Sequence, residues 1–189
     1  MKEIKDKEKH VKKTLFVIPA KEQIADRKQI EKMLPYPPNI IFLDKVFKTS
    51  DDEYIGEFLV TEQACGGGMH KIGGKYLVFR GVDLPEMAAQ LLGVIWGVKH
   101  PDFAKDKIVV YRTIKEVSFK KFIFANDLLR IKINSEDVLY RVLGGPEEEK
   151  IVIALSGKKF LITAKKEEKA TIEQIRLIIG SPELLGLAK

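Results

Sequence analysis

The sequence predicts an α+β fold in which a long central helix is wrapped by a mostly antiparallel β-sheet. Residues 83–99, DLPEMAAQLLGVIWGVK, are apolar on nearly every helical face, and a helix of this kind belongs in a protein interior. From Lys107 to Lys165 the chain contains four or five β-rich runs bounded by turn residues. Packing those strands around the helix buries both, which is why this fold class is expected.

Composition indicates one domain of an intracellular type. A chain of 189 residues with 45% hydrophobic content can bury a core without metals or disulfides. Cys65 is the only cysteine, which excludes an internal disulfide, and residues 1–13 lack the apolar run of a signal peptide, so we expect a cytoplasmic protein. The apolar helix is too short, and too polar at its start, to predict a membrane span.

The net charge of +6 raises the question of a nucleic-acid partner. The basic residues are scattered among 27 acidic ones, and no motif for groove or base readout is present. We therefore expect no nucleic-acid binding, and an acidic protein partner suits this surface better.

The chain divides into three predicted parts. Residues 1–30 form a charged N-terminal extension, 31–168 the main domain, and 169–189 a C-terminal helical extension. Within the first part, the apolar spacing of residues 22–33 predicts a helix that ends before Pro35. An extension of this kind can cover an open strand edge.

Strands and turns follow on both sides of the central helix. Residues 40–60 predict a β-hairpin with its turn at 50–52, and residues 66–74 contain five of the chain's fourteen glycines, which indicates a sharp bend or a close approach. Residues 107–124 predict a long strand with a break or bulge. Further hairpin turns are predicted at 144–146 (Gly-Gly-Pro) and 156–157 (Ser-Gly).

The final predicted element is a helix at the C-terminal end of the chain. Thr171 has the character of an N-cap, and Glu173 would lie in the first turn of the helix. Gly180 would end the helix.

Three sequence strings resemble motifs of one enzyme family. LPYPPNIIFLDKV at residues 34–46 is similar to a family string LPxxYPxLLVDRV, and EMAAQ at 86–90 is similar to ExMAQ. TIKEVSFKKFIFAND at 113–127 is similar to GIDKARFKRPVxPGD. In this order they resemble the β-hydroxyacyl-[acyl carrier protein] dehydratases of fatty acid synthesis, which have the hotdog fold, and the similarity covers roughly residues 30–165.

The resemblance implies a catalytic histidine and a catalytic acid. The family's histidine lies in a GHFPG string fourteen residues before the acid, where this chain has Ile72. The nearest histidine is His70, sixteen residues before Glu86, and HKIG keeps the HxxG spacing that ends at Gly73. An MPG string before the family's helix is replaced here by Phe-Arg-Gly ending at Gly81. The resemblance therefore implies that His70 and Glu86 are catalytic.

Dehydration of a 3-hydroxyacyl thioester needs a base for the C2 proton, an acid for the departing C3 hydroxyl, and donors to the thioester carbonyl. His70 would be the base and Glu86 the acid or a partner that holds water. The carbonyl donor would come from Gly73 or from the helix start near Gly81. Gln90, one helical turn after Glu86, would complete the substrate-binding set by orienting the acid.

Structural readings of the same residues remain open at this point. Asp83 and Glu86 could form a capping-box-like pair that begins the helix. Gln90 could satisfy a buried backbone group instead of orienting the acid.

The resemblance also implies how the protein assembles and what it binds. The histidine and acid of one site would come from different subunits of a homodimer, and dimers could assemble further. The substrate would be a thioester of acyl carrier protein or of CoA, and Lys71, Lys75 and Arg80 could receive the acidic carrier. No cofactor is expected, and the scattered histidines and single cysteine give no metal-binding spacing.

Two alternative functions share the predicted fold. In a hotdog acyl thioesterase, a carboxylate on the central helix would activate water for hydrolysis. In a non-catalytic hotdog protein, the same pocket would bind acyl thioesters without turnover. Fold alone cannot choose among the three.

Overall fold

The described part of the protein is a large antiparallel sheet and a long buried helix. The computed structural model describes residues 21–67, 70–101, 107–143, 152–181 and 185. Its elements, in chain order, are β1 (Lys21–Asp26), α1 (Arg27–Met33), β2 (Lys45–Thr49), β3 (Glu53–Leu59), β4 (Lys71–Ile72), β5 (Tyr76–Leu77), α2 (Leu84–Lys99), β6 (Ile108–Phe119), β7 (Leu128–Asn134), β8 (Val138–Leu143), β9 (Val152–Ala164) and β10 (Glu167–Gly180).

The main sheet runs in the order β1-β2-β3-β7-β9-β10-β6, and β8 also pairs with β9. All of these pairings are antiparallel. β4 and β5 form a separate small hairpin. The predicted α+β class, a long helix with a mostly antiparallel sheet, is therefore confirmed.

Helix α2 begins and ends within a residue of the prediction. Twelve of its sixteen residues are buried, including Met87, Leu91 and Ile95, because apolar side chains occupy nearly every face. Pro85 lies in the first turn, where its missing N–H has no intrahelical partner to lose. In the described part of the chain, no helix is long and apolar enough to cross a membrane.

The predicted turn at Ser156-Gly157 is wrong, because both residues lie inside the continuous strand β9. A Cβ atom at Gly157 would lie 2.9 Å from Leu92 of α2 and 2.9 Å from Ile133 of β7, and would also meet Phe160. Glycine is required here for close packing of the sheet on the helix rather than for a turn.

The predicted C-terminal helix from Thr171 to Gly180 is also wrong, because this segment is strand β10. Its apolar residues have spacings that suit either a helix or a strand with bulges. β10 lies between β9 and β6, with register shifts near Lys169 and Arg176. Residues 169–180 therefore belong to the central sheet rather than to an appended helix.

The helix predicted over residues 22–33 is correct only in its second half. Lys21–Asp26 forms β1, which pairs with β2 at one end of the sheet. Asp26 then caps α1 through a capping box with Gln29, and this fixes the change from strand to helix. Strand β1, which lies within the predicted N-terminal extension, thus covers an edge of β2.

Other predicted elements agree with the structure. β2 and β3 form the predicted hairpin, and β6 is the predicted long strand, with a positive φ of 41° at Glu116. The turn predicted at 144–146 and most of the predicted N-terminal extension, residues 1–20, lie outside the described residues.

Candidate active site

The Glu86 carboxylate in the first turn of α2 is held by side chains from three parts of the chain. The Tyr111 hydroxyl of β6 donates to Glu86 Oε2 at 2.6 Å, and Gln90 Nε2 donates to Oε1 at 3.1 Å. The Tyr36 hydroxyl, from the loop after α1, also hydrogen-bonds to the carboxylate. A half-buried carboxylate with three donors is oriented far more tightly than a surface one.

Both tyrosines remain neutral donors at physiological pH. Burial, together with the hydrogen bond and charge of Glu86, raises the pKa of Tyr111 well above the usual tyrosine range. Burial and the charge and hydrogen bond of Glu86 likewise raise the pKa of Tyr36. The Tyr-Glu-Tyr cluster therefore keeps its protons on the phenols.

Gln90 ties the acid to the neighbouring extended segment. Its side chain is buried, with 1% of its surface exposed. Besides Glu86, its Nε2 donates to the Ile40 carbonyl at 2.8 Å, and its Oε1 accepts from the Phe42 N–H at 2.7 Å. The two roles left open by the sequence are both present: Gln90 orients Glu86 and satisfies buried backbone groups.

Asp83 does not form a capping box with Glu86. Its carboxylate pairs with the Arg80 guanidinium at 2.8 and 3.0 Å and makes no cap hydrogen bond to the helix. Glu86 is therefore not engaged in beginning the helix, which leaves its carboxylate to the tyrosines and Gln90.

His70 lies immediately before β4 and is fixed by Val78, the residue that follows β5. Its Nδ1 lies 2.8 Å from the Val78 carbonyl oxygen, and its own carbonyl accepts from the Val78 N–H at 3.0 Å. A carbonyl oxygen can only accept, so Nδ1 carries a hydrogen, and in the neutral imidazole Nε2 is the nitrogen with the free lone pair. This hydrogen bond therefore makes Nε2 the ring nitrogen that is available to accept a proton.

His70 lines a cavity of about 790 Å³. Its apolar wall comes from the approach to α2, the end of β6 and the loop that follows, and includes Phe79, Leu84, Phe119, Phe122 and Ile123. Lys120, Lys121, Glu167 and Lys169 supply its charged wall. A cavity of this volume with one convergent polar side is typical of a small-molecule site.

The two predicted glycines occupy different places. Gly81 lines the cavity, and a Cβ there would lie 2.7 Å from the Phe119 ring, so the missing side chain permits close packing against β6. Gly73 lies at the tip of the β4–β5 hairpin with φ of +59°, is exposed, and does not line the cavity. Its role in binding substrate remains a prediction.

Among the described residues of one chain, those that line the His70 cavity do not include Glu86. Both are nevertheless adjacent to β6: Phe119 lines the His70 cavity and Tyr111 binds Glu86. Strand β6 therefore connects the two halves of the predicted site.

Sequence reasoning missed Tyr36, Tyr111 and Lys169. Tyr36 is part of the LPYPP string and Tyr111 of a strand pattern, and neither pattern indicates a contact with an acid on a distant helix. Among the residues that the structure describes, no three His, Cys, Asp or Glu side chains converge to hold a metal ion.

Part of the chain is similar in sequence to curated dehydratases. The chain is 31% identical over 106 residues to 3-hydroxyacyl-[acyl-carrier-protein] dehydratase FabZ of Streptococcus equi subsp. zooepidemicus (strain MGCS10565), spanning 55% of this chain and 71% of that protein. The same values hold for FabZ of Streptococcus equi subsp. equi (strain 4047). No family model matches the chain.

A solved structure shares the fold. A chain of the dehydratase heterocomplex ApeI:P from Xenorhabdus doucetiae superposes with a TM-score of 0.54 at 20% identity. The match covers 84% of this chain and 95% of that chain.

Proposed function

Because the chain belongs to the hotdog-fold 3-hydroxyacyl-[acyl-carrier-protein] dehydratase family, we propose that it converts 3-hydroxyacyl thioesters to trans-2-enoyl thioesters in fatty acid metabolism. In this reaction the C2–H and C3–O bonds break, the C2=C3 double bond forms, and water leaves. The protein must accept the C2 proton, provide a proton for the departing hydroxyl, and stabilise the charge that develops on the thioester carbonyl.

His70 is the proposed base, and its hydrogen bond to the Val78 carbonyl is the observation that carries the proposal. With Nδ1 held by the Val78 carbonyl, Nε2 is the atom that accepts the C2 proton. Because His70 lines the apolar cavity, an acyl thioester lying there would bring its C2 carbon close to that nitrogen.

Glu86 is the proposed partner for the C3 hydroxyl. Tyr111 and Gln90 fix both of its oxygens, and it acts as the acid or as the holder of the leaving water. Gln90 acts by positioning Glu86, since its amide and carbonyl groups are all bonded to protein atoms. Gly81, in the 3-10 turn Gly81–Asp83 that leads into α2, is the proposed donor to the thioester carbonyl.

A homodimer formed along β6 would complete the site. β6 ends the sheet, and Val110, Ile114 and Phe119 on it are 38, 44 and 56% exposed. Pairing of two β6 edges would cover these apolar side chains and satisfy the open backbone groups. It would also allow His70 of one subunit to act with Glu86 of the other, because each lies against β6.

The thioester would be carried by acyl carrier protein or by CoA. Lys71, Lys75 and Arg80 are exposed near the His70 loop, and the two lysines give this face a positive charge, while the charge of Arg80 is balanced by Asp83. Such a surface favours the approach of an acidic carrier protein.

Hydration of crotonyl-CoA, the reverse reaction, tests the proposal when followed as loss of enoyl thioester absorbance. Wild type should be active and His70→Ala should lose at least about 100-fold in kcat, in line with removal of a general base. His100→Ala is the matched control, because His100 stacks on Trp96 with ring centroids 3.8 Å apart and does not line the cavity. Absence of wild-type turnover with both CoA and carrier-protein substrates would overturn the proposal, and release of free thiol would favour a thioesterase.

A further inference from the structure

Lys169 is aimed into the molecule by an irregularity in β10. The pairing register with β9 shifts between Glu168 and Ala170, so Lys169 is the extra residue of a β-bulge. Its carbonyl accepts the N–H groups of Lys120 and Lys121 at 2.8 and 3.3 Å, which fixes the bulge to the chain that follows β6. Bulges beside active sites commonly redirect a side chain.

The redirected side chain ends in the cavity that His70 lines. Lys169 is 5% exposed and forms part of the cavity wall. A buried ammonium group has three donors and is costly to desolvate without acceptors. Glu167 Oε2 accepts from it at 3.3 Å, while the other oxygen of the same carboxylate lies 3.1 Å from Lys121.

The charge of the cavity wall is therefore not balanced. The lining residues include three lysines, Lys120, Lys121 and Lys169, and a single acid, Glu167, so positive charge is in excess by two. The nearby buried Asp127 does not line the cavity and is paired with Lys165 at 2.7 Å. An anionic group of a ligand in the cavity would give the Lys169 ammonium a charge-assisted acceptor in addition to Glu167, which it shares with Lys121.

We propose that Lys169 determines acyl specificity by binding a carboxylate, or an equivalent oxyanion, on the acyl chain of the thioester. This inference rests on the proposed function, because it takes the His70 cavity as the acyl site. The apolar wall of Phe79, Leu84 and Ile123 would contact the methylene groups, and the ammonium would meet the anionic end.

The phosphate of the carrier arm is the weaker candidate for this ammonium. A phosphate group retains much of its hydration at the mouth of a site, where the exposed Lys120 and Lys121 are available. Lys169 lies inside the wall and reaches only groups that enter the cavity.

Isothermal titration calorimetry with matched ligands tests the proposal on the full chain. Pentanoyl-CoA and glutaryl-CoA have equal chain length and differ in a terminal methyl or carboxylate, as do hexanoyl-CoA and adipoyl-CoA. All four carry the same CoA phosphates, so the ratio of affinities within a pair reports only on the acyl end. None has a 3-hydroxyl or a double bond, so binding is measured without turnover.

Wild type should bind the carboxylate member of at least one pair about 10- to 100-fold more tightly, the value expected for a charge-assisted hydrogen bond. Lys169→Met should remove that preference, and thermal unfolding should show that it folds, since methionine fills the same space without a buried charge. Lys166→Met removes an equal charge from the exposed β9–β10 turn and should keep the preference.

Equal affinity of wild type for both members of each pair overturns the proposal and leaves the dehydratase assignment intact. Equal weakening of both members in Lys169→Met also overturns it, because Lys169 would then contact the carrier arm. If wild type binds the carboxylate members more tightly but does not hydrate crotonyl-CoA, the dehydratase reaction is rejected and the Lys169 subsite is supported.

Discussion

Replacing Tyr111 with phenylalanine tests the support of Glu86 most sharply. The change removes the hydroxyl that lies 2.6 Å from Glu86 Oε2 and keeps the ring that packs against the core. A hydrogen bond to a charged group contributes about 1.5–3 kcal/mol, and the lower end applies because Gln90 and Tyr36 still donate to the same carboxylate. The free energy of unfolding should therefore fall by about 1.5 kcal/mol, which lowers Tm by about 3–6 °C in a domain of this size.

The effect on catalysis follows from the loss of orientation. A loosened Glu86 should lower kcat for crotonyl-CoA hydration about tenfold, with a smaller change in KM, because substrate binding depends on the His70 cavity. Tyr76→Phe is the matched control, since Tyr76 is 55% exposed and stacks edge-on with Phe124. Urea unfolding and initial rates measure both quantities. If Tyr111→Phe equals Tyr76→Phe in stability and kcat, the interpretation of the Tyr-Glu-Tyr cluster is wrong.

Two further predictions concern ionisation and packing. The raised pKa values of Tyr36 and Tyr111 mean that the folded state favours their neutral forms, so this stabilisation is complete below about pH 10 and is lost as pH rises further. Phenolate absorbance should show two of the five tyrosines titrating only as the protein unfolds in alkali, and uniform titration near pH 10 would contradict this. Gly157→Ala should destabilise the fold by about 1–3 kcal/mol through contact with Leu92 of α2. Gly180→Ala, with its nearest contacts at 3.4 Å, should cost far less, and equal losses in urea unfolding would refute the packing explanation.

The elements that sequence reasoning predicted correctly are those with strong local patterns. Helix α2 is apolar on nearly every face and could belong only to the interior. The β2–β3 hairpin has strand-forming runs on both sides of a polar turn. The prediction for β10 was wrong because its apolar spacing suits both a helix and a strand. Pairing with β9 and β6 makes this segment a strand, and no local sequence pattern reveals that pairing.

The candidate site was predictable where it rests on motifs and unpredictable where it rests on tertiary contacts. His70 and Glu86 came from motif spacing, and Gln90 from its position one turn after the acid. The contact between Tyr111 and Glu86 joins residues 25 positions apart on different elements. Lys169 lies in a charged run of the sequence, KKEEK at 165–169, and only the bulge in β10 explains why its side chain is buried.

Subunit complementation tests the central claim most directly, namely that His70 and Glu86 form one dehydratase site across a dimer. His70→Ala and Glu86→Gln are co-expressed with different affinity tags, and each is expected to be inactive alone. Random pairing makes half of the dimers mixed, and each mixed dimer regains one intact site of two, so crotonyl-CoA hydration should return to about one quarter of the wild-type rate. Mixed dimers with no more activity than either variant alone would contradict a site shared between subunits.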